Sequence, residues 1–205
     1  MSPTLLQQIQ DANKSFLAGT VRLLEASGDP FIVLACIDPR LTGVIEPALG
    51  LPRDRSIVIR TAGNRICAGS TDTLRSIAAG IFIKGATEVF VVGHTDCALA
   101  SFNTAQVIES FRAAGINRSA FGDGDLREWF GAFPDIKNNV LQSIEYLRRS
   151  GILPRNARAH GLILDTSGGG LEVVWDGDAA PAEPAVIIEK AAALPHAPAP
   201  QLPPG

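Results

Sequence analysis

Three short apolar runs limit the folds open to this chain more than any other feature. Residues 31–35, 56–59 and 88–92 are rich in strand formers and do not alternate polar with apolar side chains. Strands that helices cover on both faces show this pattern, whereas a sheet with one wet face alternates. The runs therefore predict a mostly parallel sheet with helices packed on its two faces.

Segments with helical spacing surround these runs. Apolar residues recur at helical intervals in residues 4–26, 71–84 and 134–149. The first segment stops before the Gly-Asp-Pro turn at 28–30, which a helix cannot pass. The second lies between two predicted strands and forms a βαβ crossover. We therefore predict an α/β fold with an N-terminal helical arm over residues 1–26.

The second half of the chain adds an edge hairpin to this sheet. Residues 160–165 and 171–175 have strand character and flank the Ser-Gly-Gly-Gly turn at 167–170. Glycines interrupt residues 103–133, where we expect only helix fragments and loop. The hairpin is expected to close the sheet on one side.

The end of the chain differs in composition from the rest. Residues 191–205 are rich in proline and predict an extended tail, which follows a short helix at 185–193. No internal repeat divides the remainder. We therefore expect one domain over residues 1–190 and a tail outside it.

Composition excludes several classes of protein. With 46% hydrophobic and 19% charged residues, the chain can bury a single substantial core and is not a disordered one. The net charge of −3 and the lack of a lysine and arginine cluster disfavour nucleic acid as a partner. No apolar stretch approaches the roughly 20 residues of a membrane span, and the N-terminus lacks a signal peptide's pattern, so we expect a cytoplasmic protein without a membrane partner.

Cysteine is the informative residue type. The chain has three cysteines, Cys36, Cys67 and Cys97, which are too few for a disulfide framework. In a reducing compartment they are buried thiols, reactive thiols or metal ligands. Cys67 has no neighbouring Cys or His at chelate spacing, so we interpret it as a bystander thiol.

Chemically unusual side chains follow each of the three apolar runs. They are Cys36, Asp38 and Arg40 after the first run, Arg60 after the second, and His94 and Cys97 after the third. Ligands of an open parallel sheet gather beyond the carboxyl ends of its strands. We therefore expect these side chains to converge.

Two thiolates and one imidazole form a donor set that suits zinc. With three protein ligands, zinc keeps a fourth position for water and is catalytic, whereas a structural site needs a fourth ligand. No further Cys or His suits that role, since His160 lies within a predicted strand. The only plausible fourth protein ligand is the carboxylate of Asp38, two residues from Cys36. Asp38 and Arg40 could also be a simple ion pair that fastens the loop.

Three blocks of sequence resemble the signature blocks of the β-class carbonic anhydrases. They are Cys-Ile-Asp-Pro-Arg-Leu at 36–41, Val-Ile-Arg-Thr-Ala-Gly-Asn at 58–64 and Gly-His-Thr-Asp-Cys at 93–97, in the family's order. The resemblance extends over roughly residues 5–176 and is strongest to the short microbial branch. The chain departs from the family pattern at Pro39, Thr61 and Ala98, none of which is a ligand.

The resemblance implies zinc ligands at Cys36, His94 and Cys97 and a catalytic dyad of Asp38 and Arg40. The implied reaction is hydration of CO2 to bicarbonate by a zinc-bound hydroxide, with Asp38 orienting that group and Arg40 holding Asp38. If Arg40 releases it, Asp38 can bind zinc as a fourth ligand and close the site. The family also implies at least a homodimer, in which the N-terminal arm packs across a neighbouring subunit.

Three other functions stay open at this point. Family members with the same ligand set hydrolyse carbonyl sulfide or carbon disulfide, which are linear triatomic molecules like CO2. A zinc-binding protein without turnover would keep Asp38 permanently on the metal. A zinc-free redox protein could use Cys36 and Cys97, although no Cys-x-x-Cys motif is present.

Overall fold

The computed structural model describes residues 3–67 and 69–179. Within these ranges the helices are α1 (Leu5–Leu17), α2 (Ile45–Leu49), α3 (Thr71–Phe82), α4 (Thr104–Ala113), α5 (Leu126–Trp129) and α6 (Ile136–Arg149), and the strands are β1 (Phe31–Cys36), β2 (Ser56–Thr61), β3 (Glu88–His94), β4 (Arg158–Leu164) and β5 (Leu171–Trp175). None of the described helices has the length and apolar character needed to cross a membrane. The predicted helix at 185–193, the tail at 191–205 and the domain end at 190 lie outside the described residues.

The strands form a five-stranded sheet in the order β2-β1-β3-β4-β5. β1 pairs in parallel with β2 and β3, β3 pairs in parallel with β4, and β5 is antiparallel to β4 at the edge. Both the mostly parallel sheet and the edge hairpin were predicted, and both are confirmed. The chain places β2 on one side of β1 and then β3 and β4 on the other side. This change of direction is a topological switch point, and it opens a crevice at the carboxyl ends of β1 and β3.

Helices cover both faces of the sheet, as the unbroken apolar runs predicted. Phe31 and Val33 of β1 pack with α1 and α2, whereas Ile32 and Leu34 pack with α3 and α6. Successive side chains of a strand point to opposite faces, so a strand between two helical layers must be apolar at every position. All six residues of β1 are buried.

The strands extend further than their apolar runs. Three residues that we expected to follow the strands lie within them: Cys36, Arg60 and His94. The backbone pairing extends as far as the pair of Cys36 with Thr61 between β1 and β2, and the pair of His94 with Leu164 between β3 and β4. Backbone pairing does not depend on an apolar side chain, so the ladder runs on into polar residues. The site residues therefore begin on rigid sheet positions.

Helix α1 is shorter than the predicted helix over 4–26. It begins at a capping box between Thr4 and Gln7 and ends at Leu17, and Gly19 follows with a left-handed φ of 82°. Beyond that turn the chain runs along α2, where the Leu24 backbone N–H donates to Gly50 O at 2.8 Å. The apolar residues after Leu17 therefore matched helical spacing without forming a helix.

The face of α1 that we expected to bury on a neighbouring subunit is buried on its own chain. Leu6, Ile9 and Ala12 belong to the same buried cluster as α2 and β1. The side chain of Asn13 is also buried: its Nδ2 donates to Ala48 O at 3.0 Å and to Gly169 O at 2.8 Å. The helical arm is thus part of the domain core.

Residues 103–133 form short helical pieces, as predicted, but they also share an aromatic cluster that was not predicted. Its members stack or meet edge to face, with ring centroids 4.3 to 6.4 Å apart: Phe102, Phe111, Phe121, Trp129 and Phe130. These rings pack against one another near the surface, since none of the five is fully buried and Trp129 is 56% exposed. None of the side chains of α4 is buried.

Candidate metal centre

The structure brings together the three side chains that the sequence analysis selected as metal ligands. The Sγ atoms of Cys36 and Cys97 and a ring nitrogen of His94 all lie within 4.8 Å of one another, and all three residues are buried. Cys36 is at the carboxyl end of β1 and His94 at the carboxyl end of β3. The expected convergence at the switch point is therefore observed.

The hydrogen bonding of His94 leaves one ring nitrogen free for a ligand. Its Nδ1 is 2.8 Å from the backbone O of Thr95, and because a carbonyl only accepts, Nδ1 carries the proton. Its Nε2 is then an acceptor, is buried and has no hydrogen-bond partner among the described residues. A buried acceptor without a partner destabilises the fold. In metal sites a histidine commonly donates its Nδ1–H to a carbonyl and binds the metal through Nε2, which would give this nitrogen a partner.

The proximity of the two cysteines shifts their pKa values in opposite directions. Hydrogen bonding by Cys97 is the largest influence on Cys36 and lowers its pKa, and the same contact raises the pKa of Cys97. The backbone N–H of Gly63 also donates to Cys36 Sγ at 3.3 Å. Two cysteine sulfurs and an imidazole nitrogen make a donor set that fits zinc.

Asp38 and Arg40 form a bidentate ion pair beside these ligands. Arg40 Nη2 donates to Asp38 Oδ2 at 2.8 Å and Nε to Oδ1 at 3.0 Å, and the Arg40 backbone N–H also reaches Oδ1 at 2.9 Å. The hydrogen bonds from Arg40 lower the pKa of Asp38 to about 2. Asp38 Oδ2 lies 3.9 Å from His94 Nε2. The carboxylate is therefore ionised at neutral pH and adjoins the candidate metal position.

Side-chain hydrogen bonds hold the two loops around the dyad, which follow β1 and β3. Arg40 Nη2 also donates to Asp96 O at 2.8 Å, and Asp96 has a left-handed φ of 55°. Arg60, to which the sequence analysis gave no role, donates from Nη2 to the backbone O of Asp38 at 2.9 Å. Thr95 donates from Oγ1 to Asp165 Oδ1 at 3.1 Å. These bonds fix the turns that carry Asp38 and Cys97.

Gly63 requires its residue type for a steric reason. It has a left-handed φ of 66°, and a Cβ at this position would lie 2.7 Å from Phe133 Cε1 and 2.9 Å from Leu99 Cδ1. Its close approach to Cys36 on one side and to the aromatic ring on the other has no local sequence signal.

Cys67 stands apart from the cluster, as we interpreted it. It is half-buried on the loop before α3, where its backbone N–H donates to Ser70 Oγ at 3.0 Å and its Sγ lies 3.4 Å from the same oxygen. His160, the other residue considered as a fourth ligand, lies within β4, as predicted.

Comparisons with known proteins agree with the site geometry. No family model matches the chain. The crystal structure of β-carbonic anhydrase isoform I from Trichomonas vaginalis superposes with a TM-score of 0.67 at 28% identity, covering 85% of this chain and 100% of that one. The carbon disulfide hydrolase of Acidithiobacillus thiooxidans is 28% identical over 152 residues, which is 68% of this chain and 74% of that protein.

A third relative belongs to the carbonic anhydrases by name. β-Carbonic anhydrase 1 of Mycobacterium tuberculosis is 26% identical over 142 residues, covering 69% of this chain and 80% of the relative. The sequence resemblance and the five-stranded α/β fold thus agree with both comparisons. The chain is an enzyme of the carbonic anhydrase type, and it is similar both to β-carbonic anhydrases and to a carbon disulfide hydrolase.

Proposed function

We propose that Cys36, His94 and Cys97 bind zinc and that the enzyme hydrates CO2 to bicarbonate. The observation that carries the proposal is the unpaired Nε2 of His94, buried between two cysteines and next to an ionised carboxylate. Zinc bound there would supply a Lewis acid and lower the pKa of a water molecule, which makes a nucleophile at neutral pH.

Asp38 orients the attacking water in this proposal. Its carboxylate accepts a hydrogen bond from the water O–H, so that an oxygen lone pair points at the carbon of CO2. The depressed pKa of Asp38 keeps it an acceptor throughout the neutral range. Arg40 holds both carboxylate oxygens and thereby keeps Asp38 from moving onto the metal.

Hydrolysis of carbonyl sulfide or carbon disulfide is the second candidate reaction. The similarity to a named carbon disulfide hydrolase favours it, and the same three ligands and the same dyad serve either reaction. Leu99 and Phe133 lie close to Gly63 and give this side of the site apolar surface, which suits an apolar linear substrate in either case. Two further readings are disfavoured: a zinc protein without turnover, because Arg40 holds Asp38, and a zinc-free dithiol, because His94 Nε2 is unpaired.

Parallel assays on one purified preparation test the proposal. We expect about one zinc per chain by elemental analysis and faster turnover of CO2 than of carbonyl sulfide or carbon disulfide. Cys97→Ala should lose zinc and part of the stability of the fold, because metal binding is coupled to the folding of its site. Full zinc retention by Cys97→Ala would contradict the ligand assignment, and exclusive turnover of the sulfur compounds would select the second reaction.

We also propose that the chain forms at least a homodimer in the cytoplasm. Phe82 and Ile83, at the end of α3, are 67% and 77% exposed, so this end of the helix has apolar side chains for a subunit contact. A reducing compartment keeps the cysteines available as thiolates. Light scattering at micromolar concentration should give at least twice the chain mass, and a Phe82→Glu variant should reduce it; a wild-type monomer would contradict the proposal.

A further inference from the structure

Helix α6 packs against the strand that carries His94 as closely as a glycine permits. A Cβ on Gly93 would lie 2.8 Å from Val140 Cγ2 and 3.2 Å from Ile136 Cγ2. Contacts this short leave no room for a side chain between helix and strand. The position of α6 is therefore fixed relative to the carboxyl end of β3, where the ligand histidine lies.

The same helix carries two buried polar side chains that bind the turn after β2. Asn139 is 2% exposed, and its Nδ2 donates to Gly63 O at 2.9 Å. Ser143 is fully buried, and its Oγ accepts from the Ile66 backbone N–H at 3.1 Å. Breaking such a bond leaves a buried polar group without a partner, so both bonds strongly favour one position of the turn.

Gly63 is held at both of its polar backbone groups. Its carbonyl accepts from Asn139, and its N–H donates to Cys36 Sγ at 3.3 Å. Glycine has the widest backbone freedom of any residue, so φ and ψ at this position are set by outside contacts and not by its own side chain. Without the bond from Asn139, the direction of the Gly63 N–H would no longer be determined.

We propose that Asn139 is a positioning residue for the metal site: from α6 it fixes Gly63 so that the Gly63 N–H donates to Cys36 Sγ. The inference rests on the proposed function in one respect, which is that Cys36 is a metal ligand. Partners that hydrogen-bond a ligating atom orient it and tune its donor strength. Asn139 thus links the helix seated on the His94 strand to the thiolate on the neighbouring strand.

Two variants of α6 separate this role from a general effect on stability. Asn139→Leu removes the donor to Gly63, and Ser143→Ala, the matched control, removes a bond from the same helix to the same turn without touching Gly63. Zinc affinity is measured by competition with a chelator, and the thiolate-to-metal charge-transfer band is recorded with Co2+ in place of zinc. We expect Asn139→Leu to bind zinc about tenfold more weakly and to shift the band, and Ser143→Ala to stay within about twofold of wild type.

An affinity and a band in Asn139→Leu that equal those of Ser143→Ala would overturn the inference. Should Asn139→Leu fail to fold, Asn139→Ala removes the same donor with less bulk and is held to the same two criteria. The outcome also separates the two proposals. If the wild-type protein binds neither zinc nor Co2+ through sulfur, both the proposed zinc site and the role of Asn139 are wrong. If the wild type binds the metal and Asn139→Leu binds it unchanged, only the role of Asn139 is wrong.

Discussion

Two fully buried histidines on neighbouring strands differ in a way that separates a proposed ligand from a structural residue. His160, on β4, uses both ring nitrogens: Nε2 lies 3.1 Å from Glu88 Oε2, and Nδ1 accepts from the Gly177 backbone N–H at 3.2 Å. Its ring also stacks on Phe90 with centroids 4.7 Å apart. His94, on β3, uses only Nδ1. Burial is the same for both residues, and the difference lies in the unused nitrogen.

The surroundings of His160 show why residue types alone mislead. Asp176 and Asp178 lie close enough to His160 to resemble a metal site, with possible ligand atoms within 4.8 Å of one another. Asp178, however, is paired with Arg158 at 2.8 Å, and neither nitrogen of His160 is free. The cluster at His94 differs because His94 Nε2, a possible metal-ligating atom, has no hydrogen-bond partner among the described residues.

The largest expected effect comes from replacing the histidine with the unused nitrogen. His94→Leu should reduce bound zinc from about one per chain to below about a tenth, and turnover should fall about 10³-fold or more, because two sulfur ligands do not hold a catalytic zinc site. His160→Leu should keep its zinc. Elemental analysis of both purified variants measures the contrast, and equal zinc contents would break the comparison.

The next effect concerns the carboxylate beside the free nitrogen. Asp38→Asn should lower turnover about 10²-fold, the usual contribution of a positioned proton acceptor, while zinc content stays at the wild-type value. Initial-rate kinetics with elemental analysis on the same samples measure both quantities. Wild-type turnover in this variant would reduce the pair of Asp38 and Arg40 to a loop fastening.

A stability measurement sharpens the comparison from the side of His160. His160→Leu should lower the free energy of unfolding by about 2 kcal/mol, because the Glu88 carboxylate and the Gly177 N–H lose their buried partner. Urea denaturation of the zinc-loaded protein measures the change. A loss of zinc at full stability in His160→Leu would reverse the roles that we assign to the two histidines.

A smaller effect is expected from removing the residue that holds Asp38 away from the metal. Arg40→Leu should allow Asp38 to bind zinc and should lower turnover at neutral pH about tenfold, a difference of about 1.4 kcal/mol. Zinc-edge X-ray absorption should then show an additional carboxylate oxygen, more so at low pH. The same zinc environment in wild type and variant from acid to alkaline pH would exclude this closure.

The smallest expected effect is the contribution of Asp38 to stability in acid. Its folded pKa of about 2 lies below the unfolded value of about 4, so its stabilisation is complete above pH ~4 and is lost as the pH falls toward 2. The Arg40 side chain is 45% exposed, so solvent screens the ion pair. We therefore expect the pair to contribute about 1 kcal/mol to the free energy of unfolding. The difference between the unfolding free energies of wild type and Asp38→Asn should shrink by this amount across that interval, and a constant difference would contradict it.

The sequence was sufficient to predict the sheet and the convergence of Cys36 and His94 because both follow local rules. Apolar runs mark buried strands, and the carboxyl ends of parallel strands meet, so Cys36 and His94 could be brought together without coordinates. The end of α1 was mispredicted because the apolar residues after Leu17 kept helical spacing, although Gly19 had already turned the chain.

Long-range polar contacts could not be predicted in the same way. Asn138 and Asn139 are adjacent and identical, yet Asn138 is exposed, whereas Asn139 is buried and bonded to Gly63, 76 residues away in sequence. Only the seating of α6 on β3 decides which asparagine faces the turn. The role of Arg60 at the Asp38 backbone and the aromatic cluster around Phe121 were missed for the same reason.

The contacts of Asn13 bear on the order in which the chain is completed during synthesis. Asn13 bonds to Gly169 and Leu171, 156 and 158 residues further along the sequence. At ~5–20 residues per second, a ribosome needs roughly 10–30 s to make the intervening chain. For most of that time α2 and β1, which cover the apolar face of α1, have already been made, whereas these two partners of Asn13 have not. Helix α1 can therefore dock early through its apolar face, whereas the buried polar contacts of Asn13 are completed only when the chain reaches the start of β5.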